Sequence, residues 1–410
     1  MKTIRSLFAS ILIGGLSISA SGALLHIGAG NHHSIFLDPG TGAVWTVGED
    51  ILGQLGRGMD SPLIKDNPEP FQVEPVWSGR VTDVSAGLNT NAIVTEAGEV
   101  WTWGFNRLNQ LGHSASEEVV PEPRRAEGLP PIADVEAGSG FMLAISRDGR
   151  VFGWGNNAQG QLGLGDAAPG RLVEPRPARL PEGVRVRDLA LGINQVVALT
   201  EDGRVLGWGN NRNGQAGGPE GVRRVTEPGF VGGLPEGVPV VAIGAGNFTS
   251  FAVLEDGRVF AWGENQFGQI PGASVSSVFS PVEISLPVEN VRPKAISGGA
   301  RYVHAVLTDG RVVAWGVNGP QGQFGTGERA RDVTQREEPL LLPESLRLRE
   351  IHTQTNHTVA LTMDGRFVGW GSNAQGRLAR ADRTESGSLA TAFPDPIKIE
   401  FLAEATSLRD

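Results

Sequence analysis

The sequence contains no cysteine, which excludes disulfide bonds, thiol nucleophiles and cysteine-ligated metal sites. Basic residues are also scarce, 35 against 45 acidic ones in 410 residues. They form no cluster of the kind that contacts nucleic-acid phosphates. We therefore expect no nucleic-acid partner, and no motif indicates a cofactor or a metal.

The only long hydrophobic run lies at the N-terminus. Lys2 and Arg5 precede an apolar stretch over residues 7–20, and the small residues Ser21, Gly22 and Ala23 follow it. This pattern is typical of a signal peptide. We expect residues 1–23 to be removed and residues 24–410 to be exported to the periplasm or the medium. An uncleaved membrane anchor is the alternative, but the run is short of the roughly 20 residues that span a bilayer.

The mature chain carries 33 basic and 45 acidic residues, a net charge of −12. This balance favours a soluble protein and disfavours DNA or an anionic membrane as partners. We expect no membrane insertion of the mature chain, and a monomer.

Glycine is abundant, with 58 residues, and one glycine-rich unit recurs seven times. Its marker glycine recurs at intervals of 56, 51, 54, 54, 53 and 55 residues, at Gly48, Gly104, Gly155, Gly209, Gly263, Gly316 and Gly371. Periods of this length are typical of repeat architectures.

Each repeat contains the signals of four short strands. An apolar segment precedes an Asp-Gly pair such as Asp202-Gly203, which favours a tight hairpin. A second segment ends in Trp-Gly, a third contains proline, and a fourth precedes the next Ala-Gly. The sequence predicts an all-β, seven-bladed propeller of four antiparallel strands per blade, formed by residues 24–410 as one domain. We expect the N- and C-terminal segments to close the ring at one seam.

Six repeats carry a tryptophan before the marker glycine, and Val47 takes that place in the first repeat. The tryptophans lie inside predicted strands, which indicates a packing role between neighbouring blades. A sugar-binding aromatic ring is the alternative. The six residues are Trp103, Trp154, Trp208, Trp262, Trp315 and Trp370.

The segment Gly30-Asn31-His32-His33-Ser34 and the run from Trp154 to Gly163 resemble the repeat of the regulator of chromosome condensation. The resemblance covers essentially the whole mature chain and implies the propeller fold. The best-known member of the family exchanges guanine nucleotides on the GTPase Ran and binds nucleosomes, so the resemblance also implies exchange activity. A signal peptide and an acidic chain argue against both here. The secreted β-lactamase inhibitor protein II group is similar too, and implies protein binding.

Catalytic candidates are few. His33 and His357 occupy the same repeat position in the first and last repeats, which would meet at the closure seam. They could form a metal-binding or acid–base pair there. The alternative is that both are ordinary histidines of the repeat, hydrogen-bonded locally. The Asp-Gly aspartates recur because hairpins favour them, and no Gly-x-Ser-x-Gly motif is present. We expect a non-catalytic scaffold for a protein or glycan. A hydrolase or lyase with its site in the central channel is the alternative.

Loop length suggests where a partner binds. The segment from the corner glycine to the following proline spans 10–12 residues in repeats two to five, 14 in repeats one and six, and 17 in repeat seven. Longer loops in repeat proteins often lie on the binding face. We expect the neighbouring repeats six, seven and one to bind the partner through Asp60, Lys65, Tyr302, Arg329, Arg331, Asp332, Arg336, Arg380, Asp382 and Arg383.

Overall fold

The computed structural model describes residues 27–58, 64–113, 117–327, 334–382 and 392–399. These residues form seven sheets of four antiparallel strands, each built from four consecutive strands of the chain. The predicted all-β, seven-bladed propeller is confirmed. No helix in these ranges is long and apolar enough to cross a membrane.

We number the blades in chain order. The first four blades comprise β1 (Ile27–Ala29), β2 (His33–Leu37), β3 (Val44–Gly48) and β4 (Asn67–Gln72); β5 (Val81–Ala86), β6 (Thr90–Thr95), β7 (Val100–Phe105) and β8 (Val119–Arg125); β9 (Ile132–Ala137), β10 (Phe141–Ser146), β11 (Val151–Asn156) and β12 (Arg171–Pro177); and β13 (Val186–Leu191), β14 (Gln195–Thr200), β15 (Val205–Asn210) and β16 (Arg224–Phe230).

The last three blades follow the same order, and a 3-10 turn, Ala374–Gly376, lies in blade 7. They comprise β17 (Val240–Ala245), β18 (Thr249–Leu254), β19 (Val259–Glu264) and β20 (Ser277–Ile284); β21 (Pro293–Gly298), β22 (Tyr302–Leu307), β23 (Val312–Asn318) and β24 (Thr334–Leu341); and β25 (Leu348–Gln354), β26 (His357–Thr362), β27 (Phe367–Ser372) and β28 (Ala392–Lys398).

Local sequence explains the blade. In blade 4, the Asp202-Gly203 turn joins β14 to β15, and Gly203 adopts a φ of +81° that favours glycine. Gly209 after the tryptophan has a φ of +95°, and a Cβ there would lie 2.3 Å from the backbone oxygen of Asn194. Glycine at this position therefore allows two loops of the blade to meet.

The tryptophans pack between blades, as predicted. All six are 0% exposed, which excludes the aromatic sugar-binding ring for them. Each indole Nε1–H donates to the backbone carbonyl of a corner residue in the preceding blade. The pairs are Trp103 to Gln54, Trp154 to Gln110, Trp208 to Gln161, Trp262 to Gln215, Trp315 to Gln269 and Trp370 to Gln323.

The ring closes by contact between two complete blades. Blade 1 and blade 7 share one hydrophobic cluster, which includes Ile27 and Ile399 near the two ends of the described chain. The rings of Phe36 and Phe367 meet there edge to face, with centroids 5.3 Å apart. For the described residues this confirms that both ends lie at one seam. Residues 400–410 lie outside that part of the chain.

Candidate functional site

The propeller has two faces of different character. On one, which we call the corner face, lie the loops joining the first strand to the second and the third to the fourth in each blade. A backbone hydrogen bond ties these two loops together, as from Asn210 N to Asn194 O in blade 4 and from Glu264 N to Phe248 O in blade 5. The loops of variable length therefore begin from the same fixed platform in every blade.

The opposite face, which we call the hairpin face, carries the Asp-Gly turns. In blades 3 to 7 the aspartate of each turn forms an ion pair with the arginine two residues later, as Asp202 does with Arg204 at 2.6 Å. Hydrogen bonds from Arg204 and Thr200 lower the pKa of Asp202 to about 2. These aspartates are partners of arginine, and they form no carboxylate pair for acid–base chemistry.

Three residues of the proposed binding sector can be located with their side chains. Lys65 is exposed in the corner loop of blade 1. Arg380 and Asp382 form an ion pair at 2.5 Å in the corresponding loop of blade 7. Arg336 lies in β24, where it pairs with Gly316. The remaining charged residues of the prediction lie outside the described residues: Asp60, Arg329, Arg331, Asp332 and Arg383.

Tyr302 does not belong to a binding surface. Its side chain is 1% exposed, and its hydroxyl lies 3.4 Å from the Oγ1 of Thr358 in blade 7. Burial raises the pKa of the phenol above its usual value. Tyr302 is the first residue of β22. The residue at this position of each blade packs toward the next blade, so Tyr302 belongs to the core.

The first strands of blades 2 to 7 line a central cavity of about 620 Å³. Four acidic residues on the first strands of three consecutive blades line it: Asp83 on β5, Asp134 and Glu136 on β9, and Asp188 on β13; Glu201, at the hairpin of blade 4, lines it as well. Cavities of a few hundred Å³ with converging polar groups are common binding sites. This cluster is the strongest candidate for chemistry in the channel.

This cluster was not predicted from the sequence, where the hairpin aspartates were the carboxylates that stood out. The signal was present in the repeat. When the strands before Ala-Gly are aligned, aspartate occupies the third position in three successive blades, as Asp83, Asp134 and Asp188. Successive blades are neighbours in the ring, so one acidic position in successive repeats predicts an acidic wall.

Burial and mutual repulsion perturb these carboxyl groups. Burial, followed by the charge of Glu136, raises the pKa of Asp83 to about 7. Burial and the neighbouring carboxylates also raise the pKa of Asp134 and of Glu136 well above their usual values. A hydrogen bond joins the side chains of Asp83 and Asp134, which requires that one of the two be protonated.

Part of the cluster has a structural role. The backbone N–H of Val135 donates to Oδ2 of Asp83 at 3.1 Å, and that of Ala137 donates to Oγ of Ser85 at 3.0 Å. These donors lie on the innermost strand of blade 3, where no further strand can accept them. Asp83 and Ser85 thus join the inner edges of blades 2 and 3.

The other side of the channel has a different composition. Lys294 on β21 and His352 on β25 line it in blades 6 and 7. Burial lowers the pKa of Lys294, and burial lowers the pKa of His352 to about 4. Within the described ranges no three histidine, aspartate or glutamate residues are placed to hold a metal ion together.

His33 and His357 both lie in the interior beside the closure seam, each 0% exposed. The Nε2 of His33 lies 3.0 Å from Oδ1 of Asn91, and the Nε2 of His357 lies 3.4 Å from Oγ of Ser34. Within the part of the chain that the structure describes, neither Nδ1 atom has a hydrogen-bond partner. The two histidines are locally bonded core residues in this arrangement.

Two models of protein families match this chain. A model of the RCC1-like domain matches residues 80–408. A model of the regulator of chromosome condensation (RCC1) repeat matches residues 41–94. Together the two matches cover nearly all seven blades.

Individual proteins are similar over most of the chain. The ultraviolet-B receptor UVR8 of Arabidopsis thaliana is 29% identical over 358 residues, 87% of this chain and 78% of the receptor. Protein pim1 of Schizosaccharomyces pombe is 28% identical over 383 residues, 85% of this chain and 69% of pim1. Among solved structures, Prp20p from Saccharomyces cerevisiae superposes with a TM-score of 0.75 at 22% identity, covering 87% of this chain and 86% of Prp20p.

Proposed function

Because this chain belongs to the family of RCC1-like domain propellers, we propose that it is an exported, non-catalytic scaffold that binds a protein or glycan through its corner face. One observation carries the proposal. The two loops of each blade on that face are tied to each other by the same backbone hydrogen bond, as from Ser372 N to Asn356 O in blade 7. Loops of different length and sequence therefore stand on a uniform, rigid base, and rigid presentation lowers the entropy cost of binding.

The hairpin face is less suited to charged recognition. Its aspartates and arginines already pair within each turn, as Asp256 does with Arg258 at 2.8 Å. A partner would have to compete with these local pairs, and rim charges that are already paired contribute little. This difference between the faces supports the corner face as the one that binds.

We place the binding sector on blades 6, 7 and 1, where the corner loops are longest. The corner of blade 7 adjoins blade 1, since a Cβ on Gly376 would lie 2.6 Å from the Cα of Pro68. The loops of these two blades therefore begin beside each other. Lys65 provides exposed positive charge there, and arginine, frequent in these loops, is enriched at protein interfaces.

Export is the second part of the proposal. Lys2, Arg5 and the apolar run over residues 7–20 support a signal peptide. Mass spectrometry of the protein from its native source tests this part: a mature chain beginning near Leu24 supports export, and an intact Met1 in the cytosol contradicts it.

The binding claim is tested by capture with loop variants. In one variant the corner loops of blades 1, 6 and 7 are shortened to the length found in blade 4, and in a control the loops of blades 3 and 4 are replaced by Gly/Ser segments of equal length. We expect partners captured by the wild type to be lost with the first variant and kept with the control. Capture that survives the first variant and fails with the control would contradict the sector.

A second candidate is catalysis in the channel, and the hydrogen-bonded pair of Asp83 and Asp134 favours it. Two carboxyl groups that share a proton can serve as acid and base, as in aspartic proteases. The test is hydrolysis of a panel of peptides and oligosaccharides by the wild type and by Asp134→Asn. Turnover that disappears in the variant supports the enzyme; no turnover by the wild type supports the scaffold.

A further inference from the structure

The contact between blades 7 and 1 differs from the six other contacts between blades. Val47 stands where the other blades carry tryptophan, so the indole that recurs at the six other contacts is replaced by an aliphatic side chain at this position. The corner residue of blade 7 is Arg377, where the six preceding blades carry glutamine. The hydroxyl of Ser34 donates to the backbone oxygen of Arg377 at 2.8 Å, as the hydroxyl of Ser250 does to that of Gln215 in blade 4.

Arg377 brings a buried positive charge to this seam. The residue is 4% exposed. Its guanidinium donates to the backbone oxygens of Ala374 at 2.8 Å and of Asn31, across the seam in blade 1, at 2.6 Å. Burial lowers the pKa of the group to about 10. The guanidinium of Arg377 therefore forms a hydrogen bond across the contact that lacks the repeat tryptophan.

The same seam collects four of the seven histidines of the chain. His33 on β2 and His357 on β26 are fully buried, and the Nδ1 of each has no hydrogen-bond partner among the described residues. His352 on β25 lines the adjoining channel. His32 lies at the surface of the seam, where its Nδ1 is 3.0 Å from a carboxylate oxygen of Glu49.

We propose that the seam between blades 7 and 1 is an acid-sensitive opening of the ring. Protonation of His33 or His357 would place a second buried cation beside Arg377. Because neither Nδ1 has an acceptor, the new N–H would remain unpaired as long as the seam stays closed. Opening exposes the imidazoles to water and separates them from the guanidinium.

The charged groups around the two histidines favour this response. The cations are Arg377 and, when protonated, His32 and His352, and each of them opposes protonation of His357. Glu49 is the carboxylate that acts on Arg377, and it already bonds to His32. Tyr302, also close to Arg377, is neutral over the acid range.

The size of the response follows from the titration of one group. Burial lowers the pKa of His33 to about 4, whereas a solvated imidazole has a pKa of about 6.5. A lowered pKa means that the closed seam is favoured above about pH 6.5 and loses stability as the pH falls toward 4. Between about pH 7 and pH 5 the opening constant should rise roughly 20-fold for each histidine of this kind.

Hydrogen exchange of the full mature chain tests the proposal. Protection of β2 and β26 is compared with that of β14 at about pH 7 and pH 5, after correction for intrinsic exchange rates. We expect β2 and β26 to lose at least about tenfold in protection relative to β14 on acidification. Equal loss in all three strands, or no loss at β2 and β26, would overturn the proposal.

Variants identify the groups responsible. Glutamine occupies the equivalent position in blade 4 as Gln195, so His33→Gln and His357→Gln use a side chain that the fold accepts. The double variant should keep the protection of the seam at about pH 5. His304→Gln is the matched control, because His304 is also buried and burial lowers its pKa to about 4, but it lies between blades 6 and 7 beside Trp370, with centroids 5.4 Å apart. It should leave the response of β2 in blade 1 intact.

Two results with these variants would contradict the proposal. Loss of the response in the His304→Gln control, or its persistence in the double variant, would contradict the assignment. If the double variant does not fold at neutral pH, as judged by tryptophan fluorescence, each single variant is measured instead. A single variant is expected to halve the response on a logarithmic scale, and no change in either would overturn the proposal.

Discussion

Gly163 in blade 3 lies so close to Trp208 in blade 4 that a Cβ on the glycine would stand 3.2 Å from the indole Nε1. The same indole nitrogen donates to the carbonyl oxygen of Gln161 at 2.8 Å. The repeat motif Gly-Gln-Leu-Gly thus packs against the tryptophan of the next blade. The backbone carbonyl of its glutamine accepts the indole hydrogen bond, and its second glycine leaves room for the indole ring. The glutamine acceptor recurs at six of the seven blade contacts. The glycine lies beside the indole at four of these contacts, as Gly56, Gly112, Gly163 and Gly325.

The first prediction concerns this contact. Trp208→Ala removes a fully buried indole and should lower the free energy of unfolding by roughly 3–5 kcal/mol, the usual cost of truncating a large buried aromatic. Denaturant unfolding measures it. Met363→Ala is the control, since Met363 is 57% exposed, and should change stability by less than about 0.5 kcal/mol. A loss below about 1 kcal/mol for Trp208→Ala would contradict the packing role.

The second prediction concerns the acidic wall of the channel. Asp83 has a pKa of about 7 in the folded protein and an ordinary value near 4 when unfolded. Unfolding therefore releases a proton between about pH 4 and pH 7, and this group makes the protein less stable as the pH rises through that range. Asp83→Asn keeps an acceptor for Val135 and does not titrate.

The free energy of unfolding of the variant, relative to that of the wild type, should increase by about 1–3 kcal/mol as the pH rises from about 4.5 to 7.5. Urea unfolding at several pH values measures the difference. The buried histidines change stability in the opposite direction on acidification, but they are present in both proteins and cancel in the comparison. If the difference in free energy of unfolding between the two proteins stays constant across this pH range, the pKa of Asp83 is not raised.

The third prediction concerns the activities that the family resemblance implies. With a net charge of −12 for the mature chain and no basic cluster, we expect no DNA binding at about 150 mM salt. We also expect no acceleration of nucleotide release from a panel of GTPases. A gel shift that persists at that salt concentration, or release of fluorescent nucleotide above the spontaneous rate, would contradict the exported scaffold.

The fourth prediction concerns the charged sector. Reversal of charge in Arg331→Glu with Arg383→Glu should weaken binding of any partner captured by the protein by about tenfold or more, since charged rim residues set the association rate. The melting temperature should not change. The control is Arg150→Glu on the hairpin face, where Arg150 pairs with Asp148 at 2.8 Å. Unaltered binding by the double reversal would exclude these two residues.

Repetition explains which features the sequence could predict. A strand, a hairpin or a packing tryptophan that recurs seven times is visible from its period, and Asp202-Gly203 and Trp208 were predicted in their observed places. Tyr302 was assigned to a surface because it is the only tyrosine, whereas its repeat position places it in the core. Alignment with Gln195 and His357, both buried at that position, would have corrected the assignment.

The channel cluster was harder to find, because its members come from different repeats. Asp83 and Asp134 are 51 residues apart in the sequence, yet their side chains share a hydrogen bond. Contacts of this kind depend on the order of blades around the ring and on which strand lies innermost. The substitution of Arg377 for the repeat glutamine is likewise visible in the sequence, but its partner Asn31 lies 346 residues away.

The central claim, that the corner face binds a partner, can be tested by one cross-linking measurement. Since the chain has no cysteine, a single introduced cysteine can carry a photo-activated cross-linker at one chosen site. Lys65→Cys places it on the corner face of blade 1, and Asp202→Cys places it on the hairpin face of blade 4. We expect the captured partner to be cross-linked from position 65 and not from position 202. Cross-linking from position 202 alone would contradict the account.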